Sequence, residues 1–509
     1  DTTALVRWLG ALAVLFAVLS VAWFTSAVAT ERVCQGAEHD TRLRLADRVL
    51  AGTGGVERRF KVGKLVSIAN TDAAEVGRLG DHVPGAIGAG AAVVVALGFL
   101  LAVDARLGLL ILAGLPAVLA VEKLMADRLV DRWADEQEES SEAAAVATDL
   151  MAGLRVLKGL GAEQAAAGRY RRASRQSLGA TLRAASAEAV ANAVGMAVHG
   201  GFLALVALIA GRMAAGGSIT IGEFVAVVGL TQFLIAPLET LGGTITSLAE
   251  ARASANRVAK VLETPPAVAD GWRRLEGPVT GRLVLRGLSR GKLSHLDLAA
   301  GPGDVIGLAV PDPDVARQLV ACLSREADPA AGTIEIDGIP FEDLELDSLR
   351  RVVVVSTHDA TLFEGTLADN VVPYGEGAVP LARALEAAGA ASVMESLPAG
   401  AATDLGQRGR FLSGGQAQRV ALARALAADA PVLVLHDPTT AVDSVTEQQV
   451  ADGLVGLRAG RTTLVVTTSP ALLAACTRVV FVGRKGSRLY GTHERLVTEA
   501  AEYRRAVLA

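Results

Sequence analysis

Aromatic side chains are scarce in this chain: 4 Trp, 4 Tyr and 11 Phe among 509 residues, which speaks against a binding cavity built on ring stacking. The three cysteines, Cys34, Cys322 and Cys476, are too scattered for a disulfide framework or a cysteine metal cluster. Positive charge is not in excess. Against 54 Asp and Glu stand 49 Lys and Arg, a net −5, and nothing in that balance points to a nucleic-acid partner. Apolar residues, by contrast, make up 51% and charged ones still 20%. Positive mean hydropathy with that much charge means that apolar and polar regions are kept apart. One membrane domain and one soluble domain fit the length.

The apolar residues sit in five runs: Leu9 to Thr30, Val83 to Val103, Leu107 to Val121, Ala189 to Ala210, and Phe224 to Ala249. About 20 apolar residues span the ~30 Å hydrocarbon core as a helix. Leu107 to Val121 is short but continues into Glu122 and Lys123, whose long stems reach the interface. The segments between the runs set the orientation. Glu31 to His82 carries nine Lys and Arg, and Glu122 to Glu188 carries ten. The links around Arg106 and Arg212 carry one each, so residues 31–82 and 122–188 are expected on the cytoplasmic side. Their Ala, Leu, Arg and Glu content predicts membrane helices that continue well into the cytoplasm. Five spans with a cytoplasmic C-terminus would leave Asp1 outside, which predicts a further span before it. Polar groups at membrane depth are few: Asn192, His199 and Gln232 are the candidates for a substrate pathway.

Polarity rises after Ala249, and Thr264-Pro265-Pro266 with Asp270-Gly271 marks a linker over 264–280. From 281 to 509 short β-rich runs alternate with helical stretches: Leu283–Leu285, Val305–Val310, Thr333–Ile336, Val352–Val355, Val432–Leu435, Leu464–Val466 and Val479–Val482. That order predicts an α/β domain with a largely parallel sheet behind an all-α membrane domain at 1–263.

The most informative stretch is Leu412-Ser413-Gly414-Gly415-Gln416, leading into a helix through Ala428. Two glycines at a helix start expose backbone N–H groups, Ser413 adds a hydroxyl, and the helix dipole is positive there, so the unit suits an anion. It resembles the signature motif of ABC transporter ATPase domains. The resemblance extends over the whole chain, to the exporter-type (type IV) half-transporters. Gly153 to Gly159 looks like the second cytoplasmic loop of that fold. Gly216 to Phe224, Pro237-Leu238 and Ala253 to Val258 look like its last membrane helix. Leu362 to Asn370 and Gly491 to Glu494 are similar to landmarks of its P-loop-type nucleotide-binding domain.

With the register so fixed, the resemblance shows where the family's own-site residues are missing. Its phosphate loop ends in Gly-Lys-Ser/Thr; here Val310 to Gln318 has no glycine, Pro311 and Pro313 lack N–H groups, and Ala316 stands at the lysine. Asp312 and Asp314 set negative charge against phosphate, and Arg317 takes the Mg²⁺-ligand position. The family's strand ending in Asp-Glu-Pro is here Leu435-His436-Asp437-Pro438. His436 thus replaces the Mg²⁺-organising acid, and Asp437 replaces the catalytic Glu with a shorter reach. His358 stands for the glutamine that senses Mg²⁺ and water, and Thr468 for the switch histidine. The aromatic that stacks adenine is missing, for no Phe, Tyr or Trp lies between Trp272 and Phe341.

The elements that the family uses on the other subunit's nucleotide remain: Leu412 to Gln416, and Asp443 at the end of the turn Thr440-Ala441-Val442-Asp443. Thr403 to Gly409 resembles the segment that touches the partner's membrane loops, with Gln407 replacing an acid. The resemblance therefore implies one subunit of a heterodimer in the cell membrane, bacterial by its Ala/Gly/Arg bias, with the nucleotide-binding domain in the cytoplasm. Its partner would be a homologous but non-identical half-transporter with an intact phosphate loop, catalytic strand and switch histidine. ATP and Mg²⁺ are expected at the site shared with that partner, and none in this chain's own loop. Export is the expected direction. An importer on the same fold, or a non-hydrolysing regulator or scaffold, is the alternative.

Overall fold

The computed structural model of the chain describes residues 2–359, 361–372, 379–483 and 487–508. They form two compact units. One holds Asp1–Arg42 and Ile68–Val258, the other Leu43–Ser67 and Ala259–Ala509.

The first unit is helical. Its long helices are α1 (Thr2–Leu50), α2 (Ala73–Val103), α3 (Ala105–Ala152), α4 (Glu163–Ala215) and α5 (Ile221–Leu262). Each belongs to one of the five stretches among the described residues that are long and apolar enough to cross a membrane. The 53 residues of α4 make a rod of about 80 Å at 1.5 Å per residue, far longer than the ~30 Å hydrocarbon core. The helices therefore run on past the apolar runs, as the composition of the basic segments predicts. Turn chemistry sets the breaks. Asp104 caps α3, its Oδ1 accepting from the N–H groups of Arg106 at 2.8 Å and Leu107 at 3.1 Å. Thr220 and Glu223 exchange side-chain and backbone bonds at the start of α5, a capping box. Near these two turns Leu100, Leu107, Ile111, Val206, Ala210, Val227 and Leu234 pack as the buried core of the unit.

The second unit contains two sheets. Strands β1 (Leu283–Arg290), β2 (Leu293–Ala300), β4 (Ala331–Ile336) and β5 (Ile339–Pro340) form an antiparallel sheet in the order β2-β1-β4-β5. Strands β3 (Val305–Ala309), β6 (Val353–Ser356), β7 (Val432–His436), β8 (Thr462–Val466), β9 (Arg478–Val482) and β10 (Arg488–Gly491) form the other, in the order β10-β9-β3-β8-β7-β6. All its pairings are parallel except β10 with β9, so the expectation of a largely parallel sheet holds. Strand β2 was not expected. Its alternation fails at His295, which has φ 48°; the four residues from Leu293 to Leu296 face the three from Leu288 to Arg290 on β1. The extra residue is a β-bulge, and it hides the period of two.

The main helices around the sheets are α6 (Pro313–Leu323), α7 (Gly414–Ala427) and α8 (Ser444–Leu457). Residues 43–67 pack with this unit rather than with the membrane helices that flank them in sequence. Arg350 donates to the Gly52 carbonyl at 2.7 Å, Ala267 N–H to that of Thr53 at 2.9 Å, and Arg58 to that of Glu326 at 2.6 Å. Gly55 has φ 102°, and a side chain there would strike the Pro265 carbonyl, so the turn needs glycine. The linker is also fixed. Fully buried Arg325 donates to the carbonyls of Ala269, Glu342 and Leu344.

Candidate functional site

Parallel strands β3, β6, β7 and β8 end on one edge of their sheet, where ligands of open α/β folds bind. Chain leaving that edge carries all five positions expected to have lost their nucleotide chemistry. Ala316 follows β3, His358 follows β6, His436 and Asp437 end β7, and Thr468 follows β8.

The turn between β3 and α6 is built around a carboxylate. Asp312, with φ −87° and ψ 112°, is the N-cap of α6, and its Oδ1 accepts the Asp314 N–H at 2.9 Å. Pro313 occupies the first helical position, where its fixed φ helps and its missing N–H costs nothing. Lys292, from the turn between β1 and β2, places its Nζ 2.9 Å from Asp314 and 3.6 Å from Asp312. Arg317 reaches Asp314 at 3.1 Å. The Lys292 ammonium holds the Asp314 carboxyl below its usual range. Gln318 fastens the same turn by accepting the Lys292 N–H at 3.0 Å. Ala316 is only 3% exposed and packs with Leu319 and Val320 in the core. A loop of glycines turns its N–H groups outward to phosphate; this one has filled the helix start with its own anion and its own cation.

Two imidazoles meet beside it. The His358 and His436 rings stand edge-on with centroids 5.2 Å apart, and His436 Nε2 is 3.7 Å from an Asp437 carboxylate oxygen. Burial pushes the His436 pKa down and Asp437 pulls it partly back, so the site favours the uncharged ring. Asp359 is held below the usual carboxylate range by the hydroxyl of Thr357. Asp437 has a left-handed φ of 47°, uncommon without glycine, and is pinned by its N–H to the Val466 carbonyl at 2.9 Å. Mg²⁺ favours oxygen ligands in octahedral array. Here two nitrogens stand in their place, and among the described residues no group of three or more His, Cys, Asp or Glu is placed to hold a metal. The imidazoles of His358 and His436 beside Asp437 differ from the all-oxygen set that Mg²⁺ favours.

The start of α7 is different. Ser413 is its N-cap, and with Gln416 forms a capping box: Oγ accepts the Gln416 N–H at 3.3 Å, and Gln416 Oε1 accepts the Ser413 N–H at 2.8 Å. Because Oγ accepts, its own proton is left to donate outward. Gly414 and Gly415 fill the first two helical positions, whose N–H groups have no partner within the helix. Ser413 and Gly414 are exposed, and Leu412 is half-buried against the core. A side chain on Gly414 would meet nothing, but one on Gly415 would strike the Ala441 carbonyl. Asp443 caps α8, accepting from the N–H groups of Val445 and Thr446 and from the Thr446 hydroxyl.

Several positioning residues had no role that the sequence assigned. Buried Gln418 donates to the Asp437 carbonyl and the Thr440 hydroxyl and accepts the Ala441 N–H, each at 2.9 Å. It thereby ties α7 to the turn after β7. Arg419 donates to the carbonyls of Gly415 and Gly389. Both stand directly behind the signature glycines, which is the one signal that could have found them. Lys292 has no such signal. In the membrane unit, Asn192 and His199 lie two turns apart on α4, on one helix face. Asn192 and Gln232 are exposed and His199 is half-buried.

Comparison with known proteins agrees with this architecture. Residues 1–238 match the ABC transporter transmembrane region and residues 318–440 match the ABC transporter family proper; the second match begins just past Arg317. Relatives include an "ATP-dependent lipid A-core flippase" of Thiobacillus denitrificans, 31% identical over 80% of this chain and 72% of that protein. One of the same name from Cupriavidus metallidurans is 30% identical over 96% and 84%. Among solved structures, "a bacterial Atm1-family ABC exporter with ATP bound" superposes with a TM-score of 0.75 over 94% of this chain and 86% of that one, at 21% identity.

Proposed function

Since the chain belongs to the ABC transporters and has the exporter-type fold, we propose that it works as the ATP-non-hydrolysing subunit of a heterodimer. The single competent site would join the partner's phosphate loop to this chain's Leu412–Gln416. The observation that carries this reading is the contrast between two helix starts. The N-terminus of α6 is closed by Asp312 and Lys292, while that of α7 is open, with an outward hydroxyl and two glycine N–H groups.

In the closed assembly, Ser413 Oγ donates to the γ-phosphate held by the partner, and the Gly414 and Gly415 N–H groups with the positive end of α7 stabilise its charge. Gln418 and Arg419 keep that helix start in place. The partner supplies the lysine, the Mg²⁺ ligands and the base. Two copies of this chain would set each good signature against a filled loop, and hydrolyse nothing. Turnover at the shared site drives export by the membrane helices, with Asn192, His199 and Gln232 as candidates for the pathway. The relatives named lipid A-core flippases make a lipid-type amphiphile the cargo class to test first.

The test is a photoreactive ATP analogue on the purified assembly and on this chain alone. Label competed by ATP should fall on the partner, with none between Val310 and Gln318. ATP turnover by this chain without a partner would overturn the reading.

A further inference from the structure

A short π-helical turn, Ile68–Asp72, leads into α2. Such turns carry an extra residue, which re-aims side chains and is often kept where function needs it. Here it turns Asp72 toward α5. Arg257 grips the Asp72 carboxylate with both arms: Nε to Oδ2 at 2.9 Å and Nη2 to Oδ1 at 2.6 Å. The same Nη2 donates to Ser254 Oγ at 2.9 Å. The Asp72 side chain is 7% exposed, with buried Ile68 and Ala73 packed on either side in sequence. A carboxylate so covered needs its cation, and the two-armed grip fixes orientation as well as distance.

The position of this pair gives it meaning. The chain passes between its two compact units three times: at Arg42–Leu43 within α1, at Ser67–Ile68 and at Val258–Ala259. Asp72 lies just inside the second crossing and Arg257 just inside the third. The geometry points to Asp72 and Arg257 as a coupling pair, which makes the second and third crossings move as one body so that displacement of the nucleotide-binding unit enters α2 and α5 together. Without the grip, these two crossings could swing separately and the nucleotide cycle would run without moving α2 and α5 in step. The inference rests on the exporter architecture and holds whichever subunit hydrolyses ATP.

The test uses the assembled transporter with spin labels on cysteines introduced at Ala4, near the start of α1, and at Arg106, at the α2–α3 junction. Both positions are exposed. The distance between labels is compared before and after ATP with vanadate, and ATP turnover is measured on the same samples. Arg257→Lys keeps the charge but has no planar fork; it should hold turnover within about twofold and lose at least half of the distance change. Asp72→Asn should lose more. The exchange Asp72→Arg with Arg257→Asp should recover most of it, which a pair acting only through packing would not do. An unchanged distance shift in Arg257→Lys overturns the inference. So does an exchange variant that assembles and hydrolyses at the parent rate but recovers nothing. If Asp72→Asn does not assemble, Arg257→Lys decides alone.

Discussion

Two helix starts in the second unit, those of α6 and α7, share a plan and differ in sign. Each follows a tight loop, and each is capped by a side chain that accepts a backbone N–H, Asp312 at one and Ser413 at the other. At α6 the cap is an anion, the first N–H is removed by Pro313, and Lys292 neutralises what is left. At α7 the cap is neutral and the two residues after it are glycines. A helix start can satisfy itself or wait for a ligand; the side chain at the cap decides which. The proposed loss of anion affinity at α6 therefore needs no change of fold.

The largest expected effect is at α7. Ser413→Ala removes the donated proton, and Gly414→Asp sets like charge beside phosphate in a place where the added side chain meets nothing. Losing one preorganised donor costs about 10²–10³ in rate, so the assembled pair should fall by that factor in steady-state turnover. Gly415→Asp should be worse and less informative, because it also collides with Ala441. Full activity in the first two variants would erase the comparison.

The buried imidazole of His436 gives a smaller, pH-dependent effect. The His436 pKa is lowered in the folded chain by burial, while an unfolded histidine titrates near ~6.5. The unfolded state therefore binds the extra proton first. Stability from this group is complete above that pH and is lost as pH falls from it toward the depressed folded value, by at most about 1.4 kcal/mol per pH unit for one proton. Denaturation of the full chain between pH 7.5 and 5.5 should show a shallower decline in His436→Asn than in the parent. Equal slopes would mean that folding leaves the pKa of the ring unchanged.

Asp312→Ala sharpens the contrast from the structural side. Losing a cap costs about 1 kcal/mol, read as a lower denaturation midpoint. Turnover of the pair should stay near the parent's, since the carboxylate serves α6 alone.

Legibility followed the range of each interaction. The membrane runs were plain because hydrocarbon imposes a length, and the start of α7 was plain because its chemistry lies in contiguous residues. The filled loop could be read only as missing lysine and glycines. What fills it was hidden, because Lys292 arrives from a hairpin turn that carries no motif. Strand β2 was masked by the bulge at His295. Residues 43–67 read as part of a cytoplasmic loop of the membrane half, yet backbone carbonyls at Gly52 and Thr53 bind them to the other unit. Carbonyls are the same in every residue and leave no trace in sequence. The Asp72–Arg257 grip joins residues 185 apart, beyond any periodicity.

The smallest expected effect is the strictest test of the comparison. Ala316→Ser adds one hydroxyl at a buried position that a competent site would fill with lysine. Thr468→Ala removes the hydroxyl that stands where the family has a histidine. If the edge beyond β3, β7 and β8 takes no part in chemistry, both variants should change turnover of the pair by less than about threefold, ~0.7 kcal/mol, once folded yield is matched. Thr468 is half-buried at the edge, so its loss has little packing to disturb. Ala316 is tight against Leu319 and Val320, so any loss there should appear first as lower yield, with the rate per folded molecule intact. A tenfold fall in that specific rate, in either variant, would mean that this chain's own edge takes part in turnover, and the two helix starts would then be two working sites.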